Sequence, residues 1–125
     1  MSNSTRKPPE LGSPASAPEA VVATLTEARR LIAEVGWTQG VYARDAYQNH
    51  ELYESPRAVC FCAQGAIKRA SGYDVDACVA AYRHLTHAIG GSYIPGWNDE
   101  KARTKEEVVA AFDRAIELAT VGGPR

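Results

Sequence analysis

The sequence predicts an all-α domain, a bundle of four helices. Three observations carry that prediction. Four segments repeat apolar residues at three- and four-residue steps, each opens on a helix-start signal, and glycines stand where each should end. A short β-hairpin is expected between the first two helices.

The first helix is expected from Pro18 to Val35. Proline suits the first helical turn, and Glu19 sits near the positive end of the helix dipole. Val21, Leu25, Ala28, Ile32 and Val35 share one face, and Gly36 stands as the stop. Residues 37–55, WTQGVYARDAYQNHELYES, lose this period. They are dense in aromatics (Trp37, Tyr42, Tyr47, Tyr53). Val41 and Tyr42 favour strand, and the stretch from Asp45 to His50 holds turn formers. That combination is the basis for the hairpin. An irregular stretch of this length within a small domain is often functional.

Ser55 followed by Pro56 reads as the N-cap and first residue of a second helix running to Ala70, with Val59, Cys62, Ala63, Ala66 and Ile67 inward. Gly65 inside it costs about 1 kcal/mol against alanine, which points to a close approach by another element. The third helix is capped by Asp74 and runs from Val75 to Ile89, with Val75, Val79, Tyr82, Leu85 and Ile89 on its inner side. A second irregular segment, 90–103, carries the Pro95–Gly96 turn and Trp97. Thr104 and Glu107 form a capping box for the last helix, whose core face is Val108, Phe112, Ala115, Ile116 and Ala119.

Around this domain, residues 18–121, the ends read differently. Residues 1–17 are rich in Ser, Pro and Ala and are expected to form a disordered tail. Residues 122–125 are expected to form a short C-terminal tail. The chain of 125 residues has room for one domain, and its 45% apolar content suits a folded core. The net charge of −1 supplies no global field for nucleic acid or anionic lipid. No apolar run reaches the roughly 18 residues a membrane span needs. Three cysteines (Cys60, Cys62, Cys78) and the lack of an apolar leader after Arg6 and Lys7 predict free thiols in a reducing cytoplasm.

Four blocks, WTQGVYARD at 37–45, FCAQGAI at 61–67, WND at 97–99 and EVVAAFDRAIELA at 107–119, resemble an uncharacterised family of small bacterial and phage-associated proteins. The resemblance covers residues 20–120. Where that family's last block begins R-T-H-A-E-V, this chain has Arg103, Thr104, Glu107 and Val108 in register, and Lys105 in place of the histidine. The resemblance implies no activity.

The residues themselves suggest where activity would sit. The two tryptophan-containing loops bring together Trp37, Gln39, Tyr42, Arg44, Asp45, Trp97, Asn98 and Asp99, a mixture of aromatic area and orienting polar groups that suits a binding face. The leading expectation is therefore a small non-enzymatic binding or regulatory module, acting on a protein or small-molecule partner as a monomer or homodimer. The alternative is a cysteine-dependent hydrolase or transferase. There Cys62 or Cys60, in the first turns of helix two, would be the nucleophile and His84 or His87 the base. A DNA-binding regulator is a third reading, through a helix-turn-helix at helices two and three. The acidic Asp74 and Asp76 at the start of the would-be recognition helix argue against it. No metal and no cofactor is expected: the C-x₂-C spacing is absent, and Cys60-x-Cys62 on a helix would diverge.

Overall fold

Helix α1, Pro18–Arg30, begins a chain that a computed structural model describes over residues 17–121. All but the last residue of the expected N-terminal tail, and all of the expected C-terminal one, lie outside those residues. The apolar stripe of α1 is buried at Val21, Leu25 and Ala28. The helix continues through one wider π turn, Leu31–Val35, closed by the Gly36 N–H on the Leu31 carbonyl. Ile32 is fully buried, while Val35, expected inward, is exposed.

Gly36 has a backbone conformation that any residue adopts; what it supplies is space. A Cβ there would stand 2.6 Å from the Val59 carbonyl oxygen and 2.9 Å from the Cβ of Cys60. The chain therefore leaves the helix pressed against residues 59–61. The Phe61 N–H bonds the Gly36 carbonyl, and the Thr38 N–H bonds the Phe61 carbonyl. On the other side of this strand lies the predicted hairpin element. β1, Ala43–Arg44, pairs antiparallel with β2, Cys60–Phe61. Arg44 also bridges His50 across a tight turn in which Gln48 takes a left-handed conformation.

This pairing overturns the expected start of the second helix. Ser55 and Pro56 open a single turn, in which the Ser55 hydroxyl accepts from the Arg57 N–H at 3.0 Å and the Ala58 N–H bonds the Ser55 carbonyl. The chain then extends as β2, because Val59, Cys60 and Phe61 find backbone partners on β1 and on residues 36–38. Helix α2 is Ala63–Ser71, and its N-cap is Cys62, whose sulfur accepts from the Gly65 N–H at 3.3 Å. Cys60 thus belongs to a strand and Cys62 to a cap, and neither lies inside a helix. Val59, expected inward, is exposed.

Helix α3, Val75–Ala88, starts at Asp74 as expected, with its carboxylate accepting from the Ala77 N–H. Its buried face is displaced from the expected one. Val75 and Val79 are 70% and 45% exposed, and the core is reached by Ala77, Ala81, Leu85 and Ile89. Small residues on that face let α3 lie close to α1 and α5. Helix α4, Ile94–Asn98, is a short turn of helix where a loop was expected. Helix α5, Lys105–Thr120, carries the predicted capping box in full, with bonds of 3.0 and 3.1 Å.

The result is the expected all-α bundle with its small hairpin. α1 runs centrally against α2, α3 and α5, and α3 and α5 close the far side. Phe112, Leu25, Ile32, Ile67, Leu85 and Val108 fill the interior with no side-chain exposure to speak of. None of the described helices is long and apolar enough to cross a membrane.

Candidate functional site

One buried polar residue organises the end of the molecule away from the α3–α5 contact. Asn98, at the end of α4, is 0% exposed. Its Oδ1 accepts from the Trp37 indole Nε1 at 2.8 Å and from the Ala63 N–H at 3.0 Å. Its Nδ2 donates to the Thr38 carbonyl at 3.2 Å and to Asp99 Oδ1 at 2.9 Å. Gln39 then spans the outside of the knot, donating to the carbonyls of Asn98 and Glu100. A buried amide with its bonds made specifies geometry strongly, because each unmade bond would cost its desolvation.

The two tryptophan loops expected to form one face do meet, and this knot is how. Trp37, Gln39 and Asn98 spend their polar groups on one another. Arg44 is committed as well, its guanidinium donating to Thr38 Oγ1, the Gln48 carbonyl and the Gln39 carbonyl. Asp45 caps the hairpin turn by accepting from the Tyr47 and Asn49 N–H groups, and these bonds, that of Asn49 first, hold its carboxyl below the usual range. Trp97 lies under Arg103, whose guanidinium carbon stands 4.0 Å from the ring centroid. Of the eight face residues, Tyr42 and Asp99 turn toward open space.

That space is a cleft of about 500 Å³. One wall is the hairpin and the segment after it, with Gly40, Val41 and Tyr42 facing His50, Glu51, Leu52 and Tyr53. The rest of the lining is Cys62 and Gln64 at the start of α2, with Pro95 and Asp99 from the α4 region. The lining is mostly apolar. Tyr42 and Tyr53 meet edge to face, with centroids 6.1 Å apart, and the Lys68 ammonium stands 5.6 and 5.5 Å from the two centroids. Gly65 makes this wall attainable. Any Cβ there would overlap the Tyr42 carbonyl, so only glycine lets α2 lie directly against the residue that leads into β1.

Cys62 is the one member of the cysteine–histidine set that lines the cleft. Burial pushes its thiol up from the ordinary value; the bonds from Gly65 and Gln64 oppose this, and the nearby Asp99 charge adds to it. The thiol therefore stays protonated near neutrality, the opposite of an activated nucleophile. Cys60 points its sulfur toward the Arg44 carbonyl, 3.9 Å away. His84 and His87 sit on α3 and are absent from the cleft lining. His84 is half-buried, with an Nδ1 that has no partner, and burial, then Arg83 and His87, lower its pKa. The histidine in the cleft is His50, which sequence reasoning passed over as part of a turn. Glu51, Leu52, Tyr53 and Gln64 were passed over too, and of these only Tyr53 left a signal, in the aromatic density of its segment. No cluster of three or more metal-ligating side chains exists among the described residues.

No curated protein and no solved structure matches the chain. Residues 16–118, nearly all of the folded region, match the Family of unknown function (DUF6197), and the chain belongs to that family.

Proposed function

We propose that this protein is a small binding module that holds a compact organic ligand in the cleft between the hairpin and the start of α2. The observation that carries this reading is the cleft itself. It has the volume of a small-molecule site, an apolar and aromatic lining, and a few fixed polar groups at its edge. The knot around Asn98 supports it by holding both walls at fixed spacing, which reduces the ordering a ligand must impose. The raised thiol of Cys62 favours binding over covalent catalysis at the same place.

Titration of the ¹⁵N-labelled protein with indole, a neutral aromatic probe, tests the site. The expected result is saturable shift changes confined to residues 40–42, 50–53, 62–64 and 95–99, weakened by Leu52→Ser. Leu52 is 68% exposed, so that substitution leaves the fold intact. Shift changes centred instead on the exposed Tyr73–Val75–Val79 surface, or absent everywhere, would overturn the reading.

A further inference from the structure

We infer that the ligand of this cleft is an amphipathic organic amine, its ammonium on Asp99 and its apolar body against Tyr42, Leu52 and Tyr53. The inference rests on the cleft being the ligand site and adds the chemical class.

The argument starts from the Asp99 carboxylate. Its Oδ1 is held from two directions, by the Gly40 N–H at 2.9 Å and by Asn98 Nδ2 at 2.9 Å. No hydrogen bond or ion pair from any described residue reaches its Oδ2. The group is thus oriented by the knot and left with one oxygen that no described residue engages. A carboxylate aimed this way attracts a donor, and a charged donor most strongly.

The charges around the cleft point the same way. Two carboxylates, Glu51 and Asp99, line it, and no lysine or arginine does. Glu51 is already engaged by Arg57, with Nε to Oε2 at 3.2 Å, which leaves Asp99 as the lining carboxylate without an ion pair among the described residues. The Lys68 ammonium stands over the Tyr42 and Tyr53 rings and is absent from the lining. An anion in the cleft would face Asp99 with no lysine or arginine in the lining to offset it. A neutral ligand would leave the Asp99 oxygen without a charged partner. An amine with an aromatic or branched apolar body meets both requirements, since the same tyrosine and leucine side chains offer the apolar area.

A matched series separates the terms: 2-phenylethylamine, its neutral counterpart 2-phenylethanol, and the anion 3-phenylpropanoate, each titrated into the ¹⁵N-labelled full chain. The amine is expected to bind about two- to fivefold tighter than the alcohol, the range of a solvated charged pair. The anion should bind weakest. Asp99→Asn keeps an oxygen to accept from Gly40 and Asn98 and should erase the preference for amine over alcohol. In the unmodified protein the same preference should shrink as salt rises, a readout that holds even if the variant folds poorly. Equal binding of amine and alcohol at low salt overturns the amine assignment and leaves the cleft reading standing, and tighter binding of the anion does the same in favour of Lys68. Binding of none of the three at the cleft overturns both.

Discussion

The two ends of this molecule are stabilised by different physics. Between α1, α3 and α5 the interior is aliphatic and aromatic, with Leu25, Leu85, Val108 and Phe112 filling space and alanines setting the helix spacing. At the other end α1 gives way to a π turn, two-residue strands and a five-residue helix. These hold one another through Asn98, Arg44, Gln39 and two glycines that permit backbone contact. The first arrangement tolerates changes of shape that conserve volume. The second tolerates little, because its strength lies in directed bonds whose loss leaves buried groups unpaired. The cleft lies in the second region.

The comparison is broken most directly by truncating one key residue in each. Phe112→Ala removes a fully buried ring and should cost about 3–5 kcal/mol of unfolding free energy. Asn98→Ala removes a smaller side chain but strands the Trp37 indole N–H and the Ala63 N–H, and should cost about 2–4 kcal/mol. Chemical denaturation measures both. The regions should then separate in amide exchange. Phe112→Ala is expected to lower protection throughout the helices, whereas Asn98→Ala should open residues 37–40 and the start of α2 first. An Asn98→Ala cost below about 1 kcal/mol would mean that water replaces the knot freely, and the contrast between the two ends would fall.

Gly65→Ala sharpens the contrast through its sign. In an exposed helix interior that change stabilises by about 1 kcal/mol. Here the added methyl would overlap the Tyr42 carbonyl, a backbone atom tied by the Cys62 N–H at 3.1 Å, so α2 must move off the hairpin. The expected outcome is destabilisation of about 1–3 kcal/mol, together with loss of probe binding at the cleft. A neutral or raised stability would show that the hairpin yields.

The same division governs how much could be read from the sequence. Signals that act within one turn were legible. Asp74 caps α3, Thr104 and Glu107 make their box, and the stripe of α5 faces inward. The cost of Gly65 also pointed to a real close approach. Ser55–Pro56 misled because a single turn and a helix start share the same local chemistry, and what decides between them is the strand partner that Val59–Phe61 finds more than a dozen residues upstream. On α3 the larger Val75 and Val79 outweighed Ala77 and Ala81 on paper, while close packing selected the alanines. Trp37 and Asn98 were both singled out, yet their bond spans 61 positions, and nothing local distinguishes a residue that binds a ligand from one that binds its own fold. Tyr42, Cys62 and Asp99 carried over to the cleft wall. His50–Tyr53 and Gln64 had not been singled out, since they face a common space only after α2 docks on β1.

The smallest effect expected concerns pH and falls on the helical region. Burial holds His84 below its ordinary value of 6.5, with Arg83 and His87 acting in the same sense. The unfolded chain therefore takes up this proton at higher pH than the folded one. The stabilisation is complete above the ordinary value and is lost as pH falls through it toward the lower folded value. Because the ring is partly solvated, the Tm should fall by only about 1–2 °C between roughly pH 7.5 and 5.5 from this source. Asp45 and Glu51, both held below their ordinary values, add their loss only at more acidic pH, as the carboxylates protonate. His84→Gln removes the first step and leaves the second, which thermal melts across the range resolve. A variant that keeps the full drop near pH 6.5 would show that the drop does not come from His84.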